Sequence, residues 1–430
     1  MPETFDVIVV GAGPAGASAA ITAASSGLSV LVIERGEYAG AKNMAGGMLL
    51  AQVLQELIPD YWKEAPLQRP VEHHRIMMTS GERFLEIDFG NRGFLNPPFN
   101  GFTVLRQKLD EWLVNKAKDA GALVITSTVV DDLLYEGEQV VGVKTRRPDG
   151  DVRSKIVILA DGVNSLLAQK AGLRNKFEYH DIALGVKELI VLPAKTINER
   201  FGLTGEAGAV YTVLGDFARG IPGGGFIYTN KDSVSIGVVV QPKALAQQKV
   251  TADEILERFK ARPEIARLIE GGRLVEYSGH LIPEGGFERI PKLFRSGLLV
   301  AGDAAGFCVN TGIVLMGMNL AISSGKSAGE TAIKACKQGD FSASTLSSYL
   351  KLLNQGVVLS SMKTHRRAPE FMRSPRLFDQ YPDIINNFMQ RLVTVGPKPH
   401  ESMYSAARDE FGKVKLFDLI RDGWMGVRAL

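Results

Sequence analysis

Cysteine is nearly absent from this 430-residue chain: Cys308 and Cys336 are the only two. Two thiols cannot build a disulfide framework, a cysteine-rich zinc site or an iron–sulfur cluster. Their scarcity fits a reducing cytoplasm. A strong excess of one charge is also missing. Fifty Lys and Arg against 47 Asp and Glu leave +3, too little to hold nucleic acid by electrostatics. Unbroken apolar runs are missing too. Residues 7–33 carry no charge, but Gly11, Gly13, Pro14, Gly16 and Gly27 interrupt them. Glu3 and Asp6 precede that run, where an export signal would be basic. Residues 304–325 are also uncharged, yet Gly306, Asn310, Gly312, Gly317 and Asn319 make them too polar for lipid. Neither a spanning segment nor an export signal is expected. Internal repeats and low-complexity tracts are lacking.

What remains is ordinary globular composition, 45% hydrophobic and 23% charged, with 46 glycines. The length suggests roughly two or three folding units. Phe5–Val10 (FDVIVV) reads as a buried parallel strand. Gly11-Ala-Gly13-Pro-Ala15-Gly16 follows, then small residues to Ser26 in helical register, then a second strand over Leu28–Ile33 ending in Glu34. This is a βαβ unit with a G-x-G-x-x-G turn and a strand-terminal acid, the dinucleotide fingerprint. Gly11 permits the tight turn, Gly13 lets backbone N–H groups approach a pyrophosphate, and Gly16 lets helix and strand pack. Glu34 is placed to accept the hydrogen bonds of an adenosine ribose.

Further along, helical spacing returns over Arg106–Ala120. Alternating runs at 122–135, 139–146 and 152–160 read as an antiparallel meander. From Asp181 to Pro291 the pattern is β-rich, with a hairpin around Asn230-Lys231-Asp232 and a helix expected over Ala252–Ile269. Leu298–Ala301 is another buried strand, and the last 70 residues read as mainly helical. The expected organisation is a discontinuous nucleotide-binding domain (1–180 and 291–340), a β-rich domain (181–290) and a helical C-terminal region (341–430) suited to docking a partner.

The fingerprint alone does not choose between NAD and FAD. Two later strand ends do: Ile158-Leu159-Ala160-Asp161-Gly162 and Leu299-Val300-Ala301-Gly302-Asp303. These resemble the two further motifs of glutathione-reductase-type flavoproteins of the hydroxylase-like branch. The resemblance implies an α/β FAD-binding Rossmann fold with an inserted antiparallel β-sheet domain for substrate or quinone. It implies that Asp303 holds the ribityl chain, that Asp161-Gly162 supports the phosphate region, and that Arg106 lies near the pyrophosphate. Gly312 and the helix after it would face the edge of the flavin ring. A second G-x-G-x-x-G is absent, so no dedicated NAD(P)H domain is expected, and electrons would come from a protein donor.

The resemblance narrows further on Glu34-Arg35-Gly36, on Ala39–Gly47 (AGAKNMAGG), on Ile158–Ser165 and on Gly185-Val186-Lys187-Glu188-Leu189. Gly223–Asn230 (GGGFIYTN) and Val275–Ser278 extend it. This set resembles the FixC (EtfC) subunits of FixABCX electron-transfer complexes, within the electron-transfer-flavoprotein:quinone oxidoreductase family. That implies FAD as the cofactor, held by Gly11, Gly13, Ala15, Gly16, Glu34, Arg35, Asn43, Gly46, Gly47, Arg106, Val129, Asp161, Gly162, Gly302, Asp303, Gly312, Ile313 and Val314. It implies a quinone lined by Met44, Gly224, Gly225, Phe226 and Tyr228. It also implies electron bifurcation, a two-subunit electron-transfer flavoprotein as donor and a ferredoxin-like iron–sulfur subunit as relay, since two cysteines cannot hold the cluster. No catalytic side chain or metal is required; His180 and His280 are the histidines to consider as proton donors. The implied setting is cytoplasmic and peripheral on the cell membrane. The expected membrane-facing stretches are Val210–Phe217 or Met48–Trp62, and the basic run Lys363, Arg366, Arg367, Arg373, Arg376 is a candidate docking surface. Rival readings on the same fold are a geranylgeranyl-type prenyl-lipid reductase, an aromatic hydroxylase or halogenase, and a binding protein without flavin.

Overall fold

The computed structural model describes residues 4–42, 46–176, 178–397 and 399–429. The first sheet is eight-stranded, and at its heart strands run parallel in the order Leu298–Val300, Asp151–Leu159, Thr4–Val10, Val30–Ile33, Leu123–Ile125. These strands are Val/Ile/Leu-rich, and the central ones are buried on both faces, as a covered parallel sheet demands, while the edge strand Leu123–Ile125 is partly exposed. Helix Pro14–Ser25 and the long helix Met318–Gln338 pack together over them through small residues. A Cβ on Gly325 would fall 2.0 Å from the Ala15 carbonyl oxygen, and one on Gly329 2.7 Å from Thr22. Parallel strands end on one edge of their sheet. The turns that follow Val10, Ile33, Leu159 and Val300 therefore meet at that edge, whatever their separation in sequence.

The meander is present as Val130–Glu136 and Gln139–Thr145, antiparallel to each other and to the start of Asp151–Leu159. Within the 122–135 run, Leu123–Ile125 belongs to the parallel sheet instead, and the turn at 126–129 separates it from the meander.

The second sheet has nine strands, ordered Arg273–Pro283, Ile182–Val191, Ser233–Val240, Gly223–Thr229, Gly208–Gly215, Leu67–Ser80, Gly101–Val104, Gly47–Leu50, with Arg83–Gly90 pairing onto Leu67–Ser80. It draws on residues 47–104 as well as on 181–290, because Leu67–Ser80 pairs in parallel with Gly208–Gly215. The hairpin forms where expected, closed by Asn230 N–H to the Ser233 carbonyl at 2.8 Å. The helix expected over Ala252–Ile269 is two helices, Ala252–Lys260 and Pro263–Ile269. Pro263 lacks an N–H and starts the second. These helices cover one face of the sheet and share a core with Ile227, Ile236 and Val238. The opposite face turns toward the nucleotide-binding body.

Neither stretch expected to face a membrane presents an apolar face: Val210–Phe217 is interior, and the exposed residues of Met48–Trp62 are Gln52, Glu56, Pro59 and Asp60. Val210, Tyr211, Val213, Leu214 and Phe217 are buried, as are Leu49, Leu54 and Tyr61. Gly208–Gly215 is hydrogen-bonded on both sides, so its apolar side chains have a core to enter. The basic run is largely engaged: Arg376 forks onto Asp422, Arg367 pairs with Glu370, and Arg373 donates to the His180 carbonyl. No helix among the described residues is long and apolar enough to cross a membrane.

Candidate functional site

One continuous cavity of about 430 Å³ lies between the strand ends of the first sheet and the inner face of the second. The fingerprint turn forms its floor. Gly11 has φ +99°, and a Cβ there would strike the Ala160 carbonyl oxygen at 2.4 Å. Gly16 lies outside the wall, pressed on the turn so closely that a Cβ would sit 1.9 Å from the Gly11 carbonyl oxygen. Gly13 differs: nothing lies within 4 Å of its missing Cβ, so that space belongs to the cavity. Helix Pro14–Ser25 starts there, and no side chain caps it. Its first-turn N–H groups remain for an anion. Glu34 braces the turn, accepting from Ala12 N–H at 2.9 Å and Gly36 N–H at 2.6 Å. Each carboxylate oxygen keeps a further lone pair toward the cavity.

Ala15, Arg35, Val129 and Gly162 complete the wall at this end. Asp161 lies here, and burial pushes its carboxyl up to about 6 against the pull of Arg174 and Arg35. Its Oδ1 is buried with no hydrogen-bond partner among the described residues, so a donor from a ligand would satisfy it. Asp303 is raised by burial too, and held down by Arg106 and Arg174. Arg106 forks onto the buried Asp110 at 2.9 Å through Nε and Nη2. Burial acts against its charge, but Asp110 and Asp303 outweigh that and raise its pKa. Gly302 stays behind the wall, at φ +66° with its absent Cβ 2.8 Å from that of Ala15. It lets the Asp303 turn pack on the fingerprint helix.

Gly312, Ile313 and Val314 line the middle of the cavity. They form a tight turn, in which the Thr311 hydroxyl accepts from Ile313 and Val314 N–H, and no helix begins there. The helix starts later, at Met318 after Gly317, and both residues reach the cavity. Gly46 and Gly47 line the opposite side. Asn43 and Met44, expected to contact cofactor and quinone, lie outside the described residues.

The far end is apolar. Strand alternation turns Phe226 and Tyr228 inward, stacked at 5.0 Å and 23°. The Gly225 Cβ direction points the other way, 2.6 Å from the Phe259 ring, so Gly225 and Gly224 offer the cavity backbone rather than side chains. Burial raises the Tyr228 phenol to about 12. Val210, Leu214, Val240 and Ile282 continue this wall.

Sequence reading missed several members. Met362, Pro369, Met372 and Phe378 close the apolar end from the C-terminal helices. Arg174 stands by the two carboxylates, donating to the Ala304 carbonyl at 2.8 Å, and burial lowers it to about 10. Of the two histidines the sequence offered, His280 lines the cavity, and burial with the charges of Arg106 and Arg35 pushes it down to about 4. It is neutral at pH 7. His180 lies away from this wall, beside Arg289. Lys187, on the inward face of its strand, is buried beneath Gly46, and burial lowers it to about 7. A lysine inside an apolar strand was the available signal. The described residues hold no His/Cys/Asp/Glu group suited to a metal.

An uncapped helix start, open space at Gly13 and an orphaned buried carboxylate oxygen all suit an elongated dinucleotide. The comparisons agree. Residues 6–181 match the FAD dependent oxidoreductase family and residues 368–430 the ETF-QO/FixC family C-terminal domain. The chain is 43% identical over 428 residues to the "Probable electron transfer flavoprotein-quinone oxidoreductase YdiS" of Escherichia coli K12, covering 100% of this chain and 99% of that one. It is 42% identical over 429 residues to Protein FixC of the same strain, with the same coverage. To Protein FixC of Azotobacter vinelandii it is 41% identical over 433 residues, the whole of both. In structure it is similar to a geranylgeranyl bacteriochlorophyll reductase-like protein from Thermoplasma acidophilum, with TM-score 0.72, 24% identity and coverage of 97% and 99%. The flavin-dependent brominase Bmp2 follows at TM-score 0.63 and 16% identity, covering 95% and 99%. These two likenesses concern the fold.

Proposed function

The chain belongs to the FixC and electron transfer flavoprotein-quinone oxidoreductase family and is an FAD-dependent oxidoreductase of electron transfer; on that premise we propose that it delivers electrons to a quinone. The donor in this reading is a two-subunit electron-transfer flavoprotein, acting through a ferredoxin-like iron–sulfur partner within a bifurcating complex on the cytoplasmic face of the membrane. One observation carries it: the cavity is a single space with a charged, glycine-walled end and an apolar end. A dinucleotide and a lipid-soluble ring can meet there without either leaving the protein.

Bound FAD supplies the ring that takes up and gives out electrons. The chain's own residues hold and shield it. The start of helix Pro14–Ser25 and the Gly11–Gly13 backbone take the pyrophosphate. Glu34 takes the ribose, and Asp303, steadied by Arg106 and Arg174, takes the ribityl hydroxyls. Phe226, Tyr228, Met362 and Met372 exclude water from the apolar end and orient the quinone ring. His280, neutral at pH 7 and on the cavity wall, can accept a proton at a ring nitrogen and return it.

The test is anaerobic. FAD-loaded protein is reduced with dithionite and mixed with a water-soluble quinone analogue while flavin absorbance is followed. Re-oxidation that saturates with quinone and weakens in Phe226→Ala is expected. Failure to saturate, together with saturation of a prenyl double bond, would move the assignment to a prenyl-lipid reductase. Rapid NADH-to-quinone turnover by the chain alone would remove the protein-donor reading.

A further inference from the structure

Period-two alternation in strand Arg273–Pro283 turns His280 and Ile282 toward the cavity, and the next residue in that register is Glu284. Its N–H donates to the Asp181 carbonyl at 2.8 Å, so the pairing with strand Ile182–Val191 continues past Pro283 and keeps Glu284 on the cavity wall. Asn310 fixes the side chain. Its Oδ1 accepts from Gly312 N–H at 2.9 Å, a group that can only donate. The amide nitrogen therefore faces Glu284, and Nδ2 donates to Glu284 Oε1 at 2.9 Å. Oε1 is engaged as an acceptor, so a proton on this carboxyl resides on Oε2. Oε2 has no hydrogen-bond partner among the described residues. Burial raises the carboxyl above the ordinary glutamate range, against the Asn310 bond and the charge of Arg373. The Cys308 thiol is the other titratable group facing it, kept protonated by burial and by the charges of Asp303 and Glu284.

Behind Glu284 a polar cluster reaches the surface. Asp181 is buried, and its Oδ1 lies 3.4 Å from His180 Nε2, 3.5 Å from Arg289 Nε and 3.7 Å from Arg373 Nη2. Glu178 pairs with His180 and Arg289. Glu178 and Arg289 are exposed and His180 is half-buried. Arg373 joins this cluster to the cavity, whose wall it also lines.

We propose that Glu284 is the proton inlet of the cavity, supplied from solvent through the cluster around Asp181 and along Arg373. The proposed reaction requires an inlet, and in that sense the inference rests on the quinone reading. A quinone becomes a quinol by gaining two electrons and two protons, with one O–H bond forming at each carbonyl oxygen. An iron–sulfur donor passes electrons alone, so both protons come from water. At Glu284 the Oε2–H bond breaks as its proton moves inward, and the bond re-forms with a proton from solvent. The carboxyl is neither oxidised nor reduced and ends as it began. The apolar end has no such group, since Tyr228 holds its proton up to about 12. His280 is on the same face as Glu284, four residues and about 13 Å back along the strand. A proton taken in at Glu284 is thus delivered inside the cavity that His280 lines.

The test follows proton uptake rather than turnover. FAD-loaded, full-length protein in weak buffer is reduced by viologen radical, which like an iron–sulfur donor brings no proton. Flavin absorbance and a pH-indicator dye are recorded together in stopped flow. In the unmutated chain uptake should keep pace with flavin bleaching. Glu284→Gln retains the side chain's shape and the bond from Asn310. There uptake should lag about tenfold or more at unchanged FAD content, and formic acid, a mobile proton carrier, should restore it. Infrared difference spectra of reduction should show a protonated-carboxyl band in the unmutated chain that is missing from the variant. Uptake that keeps pace in Glu284→Gln, or a lag that formic acid does not relieve, overturns the inlet and leaves Glu284 a brace for the Gly312 turn. Should Glu284→Gln purify without FAD, Asp181→Asn, behind the wall, takes its place: slowed uptake supports the inlet and unchanged uptake overturns it. Quinone takes no part in this experiment. Flavin re-oxidation that fails to saturate with a quinone analogue in the unmutated chain therefore counts against the quinone reading and leaves the inlet standing.

Discussion

Replacing Lys187 by methionine should stabilise the protein at low pH and abolish one proton's worth of its pH dependence. Lys187 sits in strand Ile182–Val191 between Gly237 and Ser278 and is fully buried. Its Nζ has no hydrogen-bond partner among the described residues. Burial brings its pKa from 10.5 to about 7; Glu276 opposes the shift and Arg106 adds to it. Ser235 and the cross-strand Ser278 share this face, with the neutral His280 two positions along the same strand as Ser278. The unfolded chain keeps the proton up to 10.5, while the folded chain gives it up near 7. Between those values the unfolded form binds more protons, so stability rises with pH. The slope is about 1.36 kcal/mol per pH unit, or roughly 2–3 kcal/mol from pH 7 to pH 9. Below pH 7 the folded state carries an unpaired buried ammonium, a cost of order 3–5 kcal/mol that methionine of similar length avoids. The assay is urea unfolding of both forms at pH 6 and pH 9 with FAD in excess. The unmutated chain should gain on Lys187→Met by about 2 kcal/mol or more across that range. Parallel profiles, or a Met variant that is weaker at pH 6, would refute the reasoning and mean that the ammonium is paired when FAD is bound.

Gly13→Val should yield flavin-free protein, because its side chain would enter the open space where the backbone meets the cavity; normal flavin absorbance after purification would count against the turn's assignment. Asp303→Ala should weaken FAD binding about tenfold or more, read by flavin fluorescence on titration, while changing the melting temperature of FAD-free protein little. An equal fall in melting temperature with and without FAD would make Asp303 structural. Thr251→Ala should cost about 1 kcal/mol in urea unfolding and leave FAD content alone. It removes a capping box in which Thr251 Oγ1 accepts from Glu254 N–H at 3.2 Å and Glu254 Oε2 from Thr251 N–H at 2.9 Å.

The glycine-and-acid turns were legible because each is local. A strand end, a glycine with no tolerated Cβ and an acid two or three residues away mark a site before any tertiary contact is known. What gathers them is the parallel order of the strands, and a run such as LLVA announces that only by its apolarity. Arg174 and Met372 were not legible. Their roles arise from contacts with residues remote in sequence, as when Arg174 reaches the Ala304 carbonyl. The Val210–Phe217 error has the same cause. An apolar strand looks alike whether it is exposed or paired on both sides, and only its neighbours Leu67–Ser80 and Gly223–Thr229 decide. Arg376, by contrast, was read as free surface charge because its partner Asp422 is 46 residues away.

The segment around residues 362–378 ties these threads together physically. Met372 lies so close to Gly312 that a Cβ there would sit 3.1 Å from its sulfur, and Pro369 meets the vacant Cβ position of Gly286 at 2.5 Å. Two glycines at positive φ thus let the C-terminal helices close directly on the turn at Gly312 and on the loop that follows strand Arg273–Pro283. The same segment spends Arg376 on Asp422, which fixes which side of Leu416–Ala429 meets the solvent. The wall of the apolar end and the direction of that helix are therefore set by one piece of chain. A change that loosens it, such as a side chain on Gly286, must disturb both together, whereas a change on the helix's solvent side alone leaves the cavity wall where it is.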